Sequence, residues 1–143
     1  MQHLWLTLPT PEENLALDEA LLDSAEEGAE EAADAPGEIL RFWEPPELLV
    51  VVGRSSAVER EVHVDPCREQ GIPILRRASG GAAILTGPGC LMYALVLSYE
   101  RFPRLRAIDV AHAWVLDRIA AALAPLAPQI SRRGTSDLAI GDQ

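Results

Sequence analysis

The 143-residue chain contains no lysine, and all twelve of its positive charges are arginines. This excludes a Schiff base, a phosphate-loop lysine and a lysine general base within these residues. Aromatic residues make up only 5% of the chain, and Trp5, Trp43 and Trp114 lie too far apart in sequence for a base-stacking platform; they read as core or rim residues. Cys67 and Cys90 could form at most one bridge and read as two thiols. No apolar run approaches the roughly 20 residues that cross a bilayer. Met1-Gln2-His3-Leu4-Trp5 has neither a basic leader nor a small-residue cleavage site, so a cytoplasmic location is the expectation. Positive charge is scarce too: a net charge of −10 repels phosphate backbones and anionic lipid, so neither nucleic acid nor membrane is an expected partner.

What is present is the composition of a globular protein, 48% apolar and 24% charged, at a length that suits about one domain spanning residues 1–143. His3–Leu8 alternates Leu4, Leu6 and Leu8 against polar or aromatic neighbours and predicts a strand. Thr10-Pro11-Glu12-Glu13 combines an N-cap, a first-turn proline and an acid three residues on, so a helix is predicted from Pro11 to about Glu27. Residues 26–37, built from Glu, Ala, Gly, Asp and Pro, read as an acidic connector. Ile39–Trp43 and Leu48–Val52 read as a hairpin-like pair around Pro45-Pro46, the second strand central because it is apolar at every position. A short helix with Asp65 as N-cap, strands at Ile72–Arg77, Ala82–Leu85 and Leu91–Ser98, and a helix over Ala107–Leu123 follow. His112 falls on that helix's apolar face and reads as a core histidine. Ser136–Ile140 is a last strand for which no partner is evident, which suggests a chain cut short of its domain boundary.

Chemistry concentrates in Arg76-Arg77-Ala78-Ser79-Gly80-Gly81-Ala82. Neighbouring side chains on a strand point to opposite faces, so one arginine enters a given pocket and the other is expected to pair with an acid. Two glycines let backbone N–H groups approach an anion, and a guanidinium beside them suits carboxylate or phosphate. Arg54, after Gly53 at the end of the central strand, could add a second charge. The same residues also fit a plain tight turn with surface arginines, and no standard nucleotide-binding motif decides between the two. His63, Cys67 and Cys90 make three soft ligands without a fourth, so no metal site is expected. Ser79 with His63 or His112 and Asp137 has the residue types of a hydrolase triad, but no nucleophile elbow surrounds the serine.

The collinear series Leu49-Val50-Val51-Val52-Gly53-Arg54, Glu61, Gly71 to Ala82, Gly87-Pro88-Gly89, Tyr93 and Gly134 to Ile140 resembles the lipoate-protein ligase family, within the biotin/lipoate ligase and octanoyltransferase superfamily. The resemblance implies an α+β fold, a mixed sheet flanked by helices of the class II synthetase-like kind, with an acyl pocket. It implies activation of lipoate or octanoate as an acyl-adenylate with ATP and Mg2+. Transfer would then go to a lysine of a lipoyl carrier domain of a 2-oxoacid dehydrogenase or of the glycine-cleavage H protein. By motif, Arg54, Arg77, Ser79, Gly80, Gly81, Ala82 and Asp137 would bind the adenylate. Ala82 stands where the family usually has a third glycine, and Thr86 where many ligases carry a histidine. The family's essential lysine is expected just after Gln143, so the chain alone is expected to be inactive or nearly so. An ATP-independent octanoyl or lipoyl transferase with a cysteine beyond residue 143, or a non-catalytic acyl-binding module, are the alternatives.

Overall fold

A computed structural model describes residues 1–31 and 38–141, which form two compact units, Met1–Leu97 and Ser98 onward. The first unit runs β1 (Gln2–Trp5), α1 (Pro11–Glu31), β2 (Ile39–Trp43), β3 (Leu49–Val52), α2 (Val58–Glu61), α3 (Val64–Glu69), β4 (Ile74–Arg76), β5 (Ile84–Thr86) and β6 (Met92–Val96). The second holds a 3-10 turn at Pro103–Arg106, α4 (Ile108–Leu123), β7 (Ile130–Arg133) and β8 (Asp137–Ile140). Helices and mixed sheets together make the α+β class. No described helix is long and apolar enough to cross a membrane.

Two three-stranded sheets make up the first unit. One has the order β1-β2-β6, β1 parallel and β6 antiparallel to β2; the other has the order β4-β3-β5, β4 parallel and β5 antiparallel to β3. All four residues of β3 are buried, as its unbroken apolar run requires. The expected hairpin of β2 with β3 does not form. Pro45 is fully buried and the proline pair redirects the chain from one sheet into the other, because neither proline can donate to a ladder. Likewise β4 and β5 flank β3 and do not pair with each other.

The start of α1 has the reciprocal bonds of a capping box. The Glu13 N–H donates to Thr10 Oγ1 at 3.3 Å, and the Thr10 N–H donates to Glu13 Oε2 at 3.1 Å. The helix extends to Glu31 and so absorbs the first half of the expected connector; residues 32–37 lie outside the described residues. Its inner face carries Asn14 and Asp18, which meet Arg41 on β2. The Arg41 guanidinium, wholly buried, donates to Leu6 O, Asn14 O, Asn14 Oδ1 and Asp18 Oδ1, and the Trp43 indole N–H donates to Asp18 Oδ2 at 3.1 Å. A buried arginine is tolerated only when its donors are satisfied and a carboxylate balances it, and both conditions hold here.

Four further expectations need correction. β1 ends at Trp5, which is 72% exposed and stacks on Phe42 with ring centroids 4.7 Å apart. α3 is capped by His63 rather than Asp65. His112 is exposed, not a core residue. In the second unit, β8 does have a partner, the antiparallel β7, turned through Gly134 at φ +55°. The Ser131-Arg132-Arg133 run hides that strand from an apolar-periodicity reading.

Candidate functional site

The candidate site lies where β3 and β4 end side by side in one direction. Their parallel pairing sets Val52 opposite Arg76, and the Arg77 N–H continues the ladder to Val52 O at 3.0 Å. The chains that leave these strands, residues 53–56 and 78–83, are thereby held against each other. The Arg54 N–H donates to Ser79 O at 2.8 Å.

Contact this close needs glycine at position 53. A Cβ there would sit 2.0 Å from the Gly81 carbonyl oxygen, and that oxygen belongs to backbone that cannot swing aside. Gly81 has φ +97°, and a Cβ on it would meet Arg77 Nη2 at 2.6 Å. Gly80 differs: a Cβ there would meet nothing within 4 Å. The glycine pair is therefore not one requirement but two. Gly81 is needed to build the loop, and Gly80 leaves open space beside it.

The two arginines turn to different loops, and among the described residues neither pairs with an acid. Arg76 Nη1 reaches Gly53 O at 2.6 Å, Ser56 O at 3.0 Å and Arg54 O at 3.1 Å, stapling the first loop. Arg77 staples the second. Its Nη2 donates to Gly80 O at 2.6 Å and Ala82 O at 3.0 Å, its Nε to Gly80 O at 3.0 Å, and its Nη1 to Val51 O at 3.3 Å. Half-buried Arg77 thus spends its donors on carbonyls of its own loop and of β3.

The loop's hydrogen-bond accounting is lopsided. Every carbonyl from Ser79 to Ala82 accepts a bond, from the Arg54 amide, Arg77 or the Ser56 hydroxyl, which lies 3.2 Å from Gly81 O. Among the described residues, the N–H groups of Ala78, Ser79, Gly80, Gly81 and Ala82 have no acceptor, and residues 79–82 are exposed. The next amide, Ala83, donates to Glu61 Oε2 at 2.7 Å. A run of amides with unused donors, whose carbonyls are turned to internal donors, presents positive partial charge suited to a carboxylate or phosphate oxygen.

Of the residues expected at the site, Arg54, Arg77, Ser79, Gly80, Gly81 and Ala82 come together in the first unit. The Arg54 side chain is exposed and has no partner among the described residues. Asp137 belongs to the second unit, where it opens β8 opposite Arg133 and is exposed. Ser56 escaped the sequence reading, Arg76 entered it as the partner of an acid rather than as a staple of the loop, and Glu61 entered it only through the family series. A serine and a glutamate five residues apart around a one-turn helix give no signal without the fold.

Cys90 follows the Gly87-Pro88-Gly89 turn and is exposed. A bond from the Thr86 hydroxyl, and a second from the Gly87 amide, hold its thiol below the ordinary thiol range, against slight desolvation and the nearby Glu44 carboxylate. Among the described residues, no three His, Cys, Asp or Glu side chains cluster as a metal site.

Comparison with known proteins bears on this geometry. The family described as the lipoyl protein ligase A/B catalytic domain matches residues 10–143. A provisionally named lipoate-protein ligase A of Aeropyrum pernix is 33% identical over 92% of this chain and 45% of its own length. An octanoyltransferase LipM of Lysinibacillus sphaericus is 37% identical over 53% of this chain and 25% of its own. Among solved structures, a bipartite lipoate protein ligase of Thermoplasma acidophilum, studied with its E2 lipoyl domain, superposes with a TM-score of 0.75 at 22% identity, over 99% of this chain and 51% of that one. A lipoate-protein ligase A bound with ATP gives a TM-score of 0.53 at 32% identity, over 68% of this chain and 38% of that one. The chain thus spans about half the length, or less, of the relatives it matches.

Proposed function

Because the chain belongs to the lipoyl protein ligase A/B catalytic-domain family, we propose that its glycine loop holds the carboxyl end of lipoate or octanoate during transfer to a lysine of a carrier protein. The observation that carries this reading is the run of acceptor-free amides from Ala78 to Ala82, beside the unpartnered Arg54 guanidinium. In the ligase reaction, the acyl carboxylate attacks the α-phosphorus of ATP, pyrophosphate leaves, and the carrier lysine amine then displaces AMP from the carbonyl. Negative charge develops on the carbonyl oxygen and the phosphate in these steps. Preorganised N–H donors stabilise such charge without reorganising at the moment of reaction.

In this reading Ser79, Gly80, Gly81 and Ala82 supply the cradle, Arg77 shapes it, and Arg54 faces the adenylate phosphate. Asp137 enters through its motif alone. The two compact units are parts of one catalytic domain, acting in the cytoplasm on lipoyl domains or the H protein. These 143 residues hold no lysine, so the essential lysine of the family is not among the groups they supply. Magnesium would accompany the ATP, whose phosphate oxygens suit a hard cation.

The relatives support a second route, since LipM relatives are named as octanoyltransferases. There the loop would cradle a thioester carbonyl, and ATP would play no part. Calorimetry on the 143-residue protein separates the two routes. Binding of a sulfamoyl analogue of lipoyl-adenylate is expected. Binding of octanoate-loaded carrier protein with no affinity for the analogue would favour the transferase, and affinity for neither would end the acyl-cradle reading.

A further inference from the structure

We infer that Glu61 is a positioning residue for the glycine loop, fixing the direction of the acceptor-free amides by holding the amide that follows them. The inference rests on the reading of that loop as an acyl-anion cradle. Glu61 ends the one-turn helix α2, and its Oε2 takes the Ala83 N–H at 2.7 Å and the Ser56 hydroxyl at 3.1 Å. Among the described residues it makes no ion pair, although Arg60 is its neighbour and arginines 54, 76 and 77 serve the adjoining loops. An exposed carboxylate that meets a backbone amide rather than a guanidinium is placed by geometry, not by charge pairing.

Its sign points the same way. A carboxylate beside a cradle for an anion is unfavourable as a bare charge. What it contributes is a boundary: the Ala83 N–H is occupied, so the anion is confined to the five amides before it. It also fixes the end of the loop where β5 begins, while Arg77 holds the Gly80 and Ala82 carbonyls from the other side. Ser56 links the two. Its single hydroxyl proton lies between Glu61 Oε2 at 3.1 Å and Gly81 O at 3.2 Å, and the carboxylate is the stronger acceptor. Removing the carboxylate frees the Ala83 amide and turns the Ser56 proton wholly to Gly81.

The test compares wild type, Glu61→Ala and Glu61→Gln by amide exchange in NMR and by calorimetry with the sulfamoyl analogue. In Glu61→Ala, the Ala83 amide should exchange about ten-fold faster and the analogue bind about five- to ten-fold more weakly, as loss of one charge-assisted bond at an exposed site allows. Glu61→Gln keeps a carbonyl acceptor and should return both readings to within about two-fold of wild type. A purely electrostatic role predicts the reverse, tighter binding in both variants, and that result overturns the inference. So does unchanged Ala83 exchange in Glu61→Ala. If the wild type itself fails to bind the analogue, the acyl-cradle reading falls, and the exchange data alone then decide whether Glu61 positions the loop.

Discussion

Arginine holds two regions of the first unit together, and it does so in opposite ways. Arg41 is wholly buried, and its guanidinium is matched by the Asp18 carboxylate and by carbonyls of Leu6 and Asn14. Arg76 and Arg77 lie at the sheet edge and, among the described residues, are matched by backbone carbonyls alone. The first arrangement is electrically closed: a buried charge needs its counter-charge, and the gain is a fixed junction of α1 with β2. The second leaves its positive charge uncompensated. Carbonyl dipoles satisfy the geometry of a guanidinium without cancelling its charge, so the loop stays positive in a protein that carries −10 overall. The same side chain is a structural tie in one place and the support of a receptive loop in the other.

Breaking the closed arrangement should have the largest effect. Asp18→Ala strands the buried Arg41 charge and is expected to cost about 3 kcal/mol or more in chemical unfolding, with the loop amides unmoved in NMR spectra. A loss below about 1 kcal/mol would mean that the junction tolerates an unbalanced charge and that the contrast is false. Gly53→Ala comes next, because its Cβ must push the Gly81 carbonyl away. Binding of the lipoyl-adenylate analogue should fall by about ten-fold or more, read by calorimetry. Gly80→Ala sharpens the comparison, since open space surrounds that position. Unfolding should shift by about 1 kcal/mol or less, while a ligand seated on the loop would meet the new methyl group and lose affinity. Equal loss of stability in both variants would count against the distinction.

The smallest effect concerns Cys90. Because the Thr86 hydroxyl and then the Gly87 amide favour its thiolate, alkylation should begin at a lower pH than for a free cysteine amide. Thr86→Val removes the larger of these bonds and should move that onset upward. An unmoved onset would show that Thr86 does not hold the thiolate.

How much of this the sequence discloses depends on whether the signal is local. The capping box at Thr10, the burial of β3 and the run of α4 follow from spacing and propensity, and all are present. Pairing is not local. Pro45-Pro46 forbid ladder bonds equally well in a hairpin turn and in a crossing between sheets, so the residues alone cannot say where β3 goes. β7 has too little apolar alternation to announce itself. Arg41 sits in an apolar strand, and its half-buried carboxylate partner comes from a helix 23 residues earlier. At the site, the motif names the loop residues, but the division of labour is a matter of hydrogen-bond direction. Arg77 reads as a ligand for an anion and proves to be bonded to its own loop, while the Glu61 contact joins segments 22 residues apart.

The most direct test of the cradle is a 15N-edited titration of the protein with the sulfamoyl analogue, following individual backbone amides. Shifts are expected at Ala78 to Ala82, with Ala83 nearly still because Glu61 already holds it. Saturable binding that leaves those five amides unmoved would contradict the account.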